Sequence, residues 1–256
     1  MKPLMYQEFL KLRFKKSTWI SLIIAVGMMV LTGLTTLNVG SSDSKYYFSS
    51  AYGGFQWFII VLIAINASSI TSEFQFGTIK HLVIQADSRW RVYYIKLLAI
   101  SCYNFIGHII IFLAAVLIKL LLYPGLDLFS HYHYGSTVIV NLILNGALDF
   151  FLSYLFIGMV TLIACISSNS AVAVSVGIGV AFAGEGLSNM LLSSFPSIIP
   201  IMRWNPFNML NFQQQFAYPE HIHDTHLLLS QMGIGIFVWS CLFLVLGQLL
   251  FQRRKI

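Results

Sequence analysis

Six apolar runs, parted by short polar segments, constrain this chain more than any motif in it. They extend from Thr18 to Asn38, Gly54 to Thr71, Tyr93 to Leu122, Thr137 to Ile166, Ala171 to Leu192 and Gln231 to Phe251. Each is long enough for a hydrocarbon core that takes roughly 20 helical residues to cross. In lipid the backbone must satisfy its own N–H and C=O groups, so runs of this kind become helices. The third and fourth exceed the need and are expected to tilt or to project beyond the bilayer. Between the fourth and fifth only Ser167-Ser168-Asn169-Ser170 intervenes, which reads as a tight connection. With 57% of its 256 residues hydrophobic and 9% charged, the chain lies far from the roughly 25% charge of soluble domains. The fold class is an all-α polytopic membrane protein with six transmembrane helices.

The formal net charge is +6, but the cations flank the apolar runs instead of lining one face. That excludes a nucleic-acid partner and implies lipid headgroups and topology. On one side of a six-span arrangement lie Lys2, Lys11, Arg13, Lys15, Lys16, Lys80, Arg89, Arg91, Lys96, Arg253, Arg254 and Lys255, twelve of the fifteen Lys and Arg. The other side holds Lys45, Lys119 and Arg203. The excess places both termini in the cytoplasm. The first run is longer than the apolar region of a signal peptide and lacks a small-x-small cleavage site, so it reads as the first span. Cys102, Cys165 and Cys241 sit inside apolar runs without CxxC spacing and read as buried free thiols.

Residues 1–17 precede any span. Met5, Phe9 and Leu12 recur at helical spacing among the cations, which describes an amphipathic helix lying in the cytoplasmic interface; an ordinary basic tail is the alternative. On the outer side, Val39 to Gly53 and Tyr123 to Ser136 form loops. Residues 193–230 make a longer extracellular or outer-leaflet segment, rich in Phe, Trp, Tyr and Pro, and such aromatics favour the headgroup zone.

The longest charged stretch between two spans is Ser72 to Arg91, SEFQFGTIKHLVIQADSRWR. It offers a carboxylate at Glu73, a turn at Gly77, and then Thr78 to Ile84, enough for about two turns of amphipathic helix. Asp87-Ser88 is expected to cap the next helix, with Arg89, Arg91 and Lys96 at its mouth. The charge count puts this stretch inside the cell. It suits an element that docks on a cytosolic partner, or a basic turn that only fixes topology.

Familiar chemistry is absent. No GxxxxGK[ST], GxSxG, HExxH or paired CxxC occurs, so neither nucleotide binding by that route nor a known catalytic cycle is expected, and an intramembrane enzyme lacks its nucleophile and base. What remains is polar groups inside the membrane, where burial is costly. Asp149, Asn145 and Glu185 are candidates for a translocation path, alongside Lys119, His108, Asn66, Asn104 and Asn141. The plainer reading is helix-to-helix hydrogen bonding, with either carboxylate neutral or paired to Lys119. Glycines on both sides of Glu185 suggest a kink or re-entrant turn there. His131 and His133 lie in one outer loop, and His221, His223 and His226 beside Glu220 and Asp224 in another. Imidazoles at that spacing are weak metal candidates, and no metal site is expected. Small-xxx-small pairs, Ala173 with Gly177 and Gly179 with Ala183, permit close helix approach.

The chain resembles the membrane subunit of an ATP-binding-cassette exporter of the second export type, a class that includes antibiotic and lantibiotic-immunity exporters. The resemblance rests on the six-span layout, the basic helix before it, and the loop: Glu73-x-x-x-Gly77-Thr78-Ile79-Lys80, then Ser88-Arg89 and Lys96. The Asp87-Ser88-Arg89 turn departs from the more frequent proline-containing form. The resemblance implies a single transmembrane permease domain over residues 1–256, in a bacterial cell membrane, with 72–92 as the cytoplasmic coupling loop and its short helix. It implies a separate ATPase as partner, a second permease, identical or a sister subunit, and no cofactor held by this chain, ATP and Mg being the partner's. Glu73, Gly77, Thr78, Ile79, Lys80 and Arg89 are the implied coupling residues. A hydrophobic or amphipathic cargo, such as an antimicrobial peptide or drug, is implied only broadly. The rival is a stand-alone secondary transporter or channel in which Asp149 and Glu185 handle ions.

Overall fold

A computed structural model describes residues 2–37, 40–167 and 169–254. Lys255 of the inner charge count, Asn38 and Val39 at the first outer loop, and Ser168 of the tight connection lie outside the described residues. The elements, in order, are α1 (Lys2–Phe14), α2 (Lys16–Thr35), α3 (Ser41–Ser49), α4 (Gly54–Gln75), α5 (Ile79–Ala86), α6 (Arg89–Leu122), α7 (Val138–Ile166), α8 (Ser170–Ser194), α9 (Ile199–Met202), α10 (Phe212–Ala217), α11 (Ile222–Thr225) and α12 (Leu229–Arg253), with short 3-10 turns between some of them. Six are long and apolar enough to cross a membrane: α2, α4, α6, α7, α8 and α12. They coincide with the six apolar runs. At 34 residues, α6 is about 51 Å long at 1.5 Å per residue, well beyond a core of about 30 Å.

The helices fall into two compact units, one comprising Met1–Phe9, Leu62–Ile100 and Phe151–Ile256, the other Leu10–Val61 and Ser101–Phe150. In the second unit the stretch expected as a Ser/Tyr-rich loop contains helix α3. After α3 the chain turns through Ala51, Tyr52 and Gly53, all at positive φ (53°, 52° and 74°). Tyr52 is wholly buried and stacks on Tyr123 at 5.7 Å. The Tyr123 hydroxyl donates to the Gly33 carbonyl at 2.7 Å, tying α6 to α2. Gly54 and Gly107 are there for close approach: a Cβ would meet Met29 at the first and fall 2.0 Å from the Phe58 ring at the second.

In the first unit, Asn66 donates from Nδ2 to the Ile157 carbonyl at 3.0 Å and to Thr161 Oγ1 at 3.1 Å. This is the interhelical hydrogen bonding that membrane packing uses in place of a hydrophobic drive. The segment 193–230 folds into α9, α10, α11 and turns, burying Met209, Leu210, Phe212, Phe216 and Leu227. Its Asn208 donates to the Arg203 and Thr225 carbonyls, and Gln215 to the Leu227 carbonyl. Of its aromatic side chains Phe212 and Phe216 are thus buried, while Phe195 and Tyr218 are exposed.

Three local expectations are corrected. The glycines around Glu185 do not break α8, which runs unbroken from Ser170 to Ser194; Gly184 is small because a Cβ there would sit 2.5 Å from Leu210. Ser88 does not cap α6 with its side chain, since its Oγ is buried with no hydrogen-bond partner among the described residues, and Asp87 instead ends α5 in the left-handed region at φ 59°. The three cysteines are free, but only Cys165 is buried and Cys241 is exposed.

Candidate coupling site

The loop between α4 and α6 builds its short helix from a glycine turn and a buried apolar face. Gly77 has φ +68°, a conformation that costs other residues roughly 1 kcal/mol or more. It reverses the chain after α4. The eight residues of α5 then bury Ile79, Leu82 and Ala86, positions three and four apart on one helix face. Lys80, His81, Ile84 and Gln85 are left exposed. Ile84 and the preceding Phe76 are 73% and 78% exposed, so the outward face is both apolar and basic.

Glu73 is buried at the foot of this loop. One of its oxygens accepts a short hydrogen bond from the Thr78 hydroxyl, immediately before α5. The other lies 3.1 Å from Lys96 Nζ. Lys96, only 2% exposed, also reaches Glu8 of α1 at 2.9 Å and donates to the Ser69 carbonyl at 3.0 Å. An ammonium has three donors, and all three are thereby directed at named acceptors. Sequence reasoning missed Glu8. It stands among cations, and the buried face of α1 is Leu4 and Glu8, while Met5 of the expected apolar stripe is exposed.

Arg89 is engaged inside the chain, donating from Nη1 to the carbonyls of Gln252 at 2.6 Å and Arg254 at 2.9 Å. Arg254 Nη1 in turn reaches the carbonyls of Ala164, Cys165 and Ser167. The last carbonyls of a helix lack intrahelical partners and sit at its negative end. The two arginines thus satisfy the ends of α12 and α7. Arg91 donates to the Ala86 carbonyl at 3.3 Å and lies 3.8 Å from Asp87.

Among the membrane polar groups, Asp149 pairs with His108 at 2.9 Å, not with Lys119. No ion pair to the buried Lys119 is seen among the described residues. His108 Nδ1 faces the Asn104 carbonyl at 2.9 Å. A carbonyl only accepts, so Nδ1 is the donor in that contact. The imidazole is enclosed by Phe55, stacked at 5.8 Å, and by Phe58 and Phe150 edge-on at 5.1 and 5.4 Å. Asn145 donates to the Asn141 carbonyl of its own helix. Glu185 is half-buried and belongs to the other compact unit from Asp149. His221 bonds Asp224 at 2.9 Å, and among the described residues no group of three or more His, Cys, Asp or Glu is placed to hold a metal.

Six helices long and apolar enough to cross a membrane define a multi-pass membrane protein. A family model described as ABC-2 family transporter protein matches residues 4–184, and the chain belongs to that family. It is therefore a multi-pass membrane permease of an ABC transporter. The match runs from α1 into α8 and includes the whole loop between α4 and α6. No curated protein matches the chain.

Proposed function

We propose that this permease forms an export path with a second permease, identical or a sister subunit, and is driven by a separate ATPase that engages α5. ATP and Mg are held by that ATPase and by no site on this chain. The single observation carrying the reading is α5 itself, anchored through Ile79, Leu82 and Ala86 while presenting Phe76, Lys80 and Ile84 outward. Closure of the ATPases on ATP would push this helix and shift the spans between inward- and outward-facing states. Glu73, Gly77 and Thr78 set its position, Lys80 meets the partner, and Arg89 secures the start of α6. The cargo is a hydrophobic or amphipathic compound, of the class of membrane-active peptides and drugs, and the membrane is a bacterial cell membrane. A tagged wild-type chain purified from its native host is expected to bring an ABC ATPase with it, and an Ile84→Asp chain to lose it. Equal recovery with both chains would overturn the docking role.

A second reading has one specific observation in its favour. The His108–Asp149 pair lies within a surround of aromatic rings, and buried ionisable groups of this kind mark ion and proton pathways. In that reading Glu185 would be a further ion-handling carboxylate in the first unit. Uptake or release of cargo by vesicles holding this chain alone, driven by a proton gradient, would favour it over the ATP-driven reading.

A further inference from the structure

The contacts around Lys96 form a continuous line from the first helix to the coupling helix. Glu8 on α1 lies 2.9 Å from Lys96 Nζ, Glu73 on α4 lies 3.1 Å from it, and the far oxygen of Glu73 accepts from Thr78, the residue that opens α5. Elsewhere the same neighbourhood is hollow. Leu4 and Gln7 of α1, Gln85 and Ala86 of α5 with Asp87, and Arg91 and Ile95 of α6 line a cavity of about 300 Å³. There the end of α5 and the first turns of α1 face a common cavity, while the charged line links α1 to the start of α5.

We infer that Glu8 is a positioning residue for the coupling helix, acting through Lys96 and Glu73 on Thr78. The physical reason is the tripod at Lys96. Its ammonium is fixed by three acceptors on two helices, the Glu8 and Glu73 carboxylates and the Ser69 carbonyl. Remove one leg and Nζ is free to rotate, and the Glu73 carboxylate that it orients no longer meets the Thr78 hydroxyl at a fixed angle. In a buried, low-dielectric setting such networks respond as a unit, so loss at one member is felt at the others. The geometry stands independently of any partner, but its importance for transport rests on the reading that an ATPase engages α5.

The test is amide hydrogen exchange on the full chain in lipid nanodiscs. Glu8→Gln is expected to speed exchange in residues 79–86 about tenfold, the factor for losing one charge-assisted hydrogen bond, while α7 and α12 keep their wild-type rates. Glu73→Gln should have the same effect, and the double variant Glu8→Gln/Glu73→Gln no more than Glu73→Gln alone. Glu8→Asp, which keeps the charge one methylene short, should restore part of the protection, and it carries the comparison if Glu8→Gln does not insert. Wild-type exchange in α5 of Glu8→Gln, acceleration spread evenly over all helices, or additive effects in the double variant would each overturn the inference. The two readings fail separately. An Ile84→Asp chain that still retains the ATPase sinks the docking role, whereas unchanged α5 exchange in Glu8→Gln sinks only the positioning.

Discussion

The Arg254 guanidinium lies 3.8 Å from the centre of the Phe74 ring, which seats the residue after the last helix on the final turn of α4. Phe74 is the neighbour of Glu73, and its ring also meets Phe251 edge-on at 5.5 Å. The end of α12 and the end of α4 are thus one packed assembly within the first unit.

Arg254→Ala removes the stack on Phe74 and the donors to the end of α7. A partly desolvated cation–π contact and hydrogen bonds from a charged donor together amount to about 2–3 kcal/mol. Arg254→Lys should recover only part of this, because an ammonium lacks the planar fork that spans several carbonyls. Thermal unfolding of the detergent-solubilised protein gives the order wild type, Lys, Ala; equal midpoints for all three would contradict it.

Lys96→Met leaves the Glu8 and Glu73 carboxylates buried without the ammonium between them. Breaking a buried pair from one side costs about 3–5 kcal/mol, more than the isosteric Glu8→Gln change. The expected result is low yield of folded Lys96→Met protein, and better yield when Glu8→Gln and Glu73→Gln are added to it. Quantitative size-exclusion profiles of the three proteins decide this.

At Gly77 the backbone is the constraint, since a Cβ there would meet nothing within 4 Å while φ is +68°. Gly77→Ala should cost about 1 kcal/mol, and Gly77→Asn less, because Asn tolerates the left-handed region. Gly77→Pro cannot adopt that φ at all. It is expected to abolish transport-coupled ATP hydrolysis while leaving insertion intact, as measured by hydrolysis in the reconstituted complex.

Gly107 presents the opposite case, one of space. An added methyl falls 2.0 Å from Phe58 Cζ, and Phe58 is one of the rings around His108. Gly107→Ala should destabilise by about 1–3 kcal/mol through overpacking, with Phe58→Leu in the same chain restoring a good part. A double-mutant cycle on thermal midpoints reads the coupling, and simple additivity would show that Phe58 is not what resists the methyl.

Much of this was legible in the sequence, for identifiable reasons. The six spans follow from run length, and α5 from a glycine followed by apolar residues at helical spacing between two spans. The partner of Asp149 was not legible. Period 3.6 shows which residues share a face of α7, but not which face of α6 they meet. Lys119 was the partner that the sequence suggested for a buried carboxylate, whereas the structure pairs Asp149 with His108. Glu8 was hidden by the cations around it, and Arg254 by its place in a basic run that topology alone explained. In each case the missing quantity was the rotation of one helix against another, which a single sequence does not encode locally.

The seating of Arg254 also bears on how the protein should be handled at the bench. A purification handle or fluorescent label placed close after Arg254 would sit beside the arginine that holds α7, Phe74 and, through its own carbonyl, Arg89. A bulky cargo there pulls on the foot of the lever that the ATPase is proposed to move. A loss of activity in such fusions would report on the tag, and labels belong elsewhere in the chain.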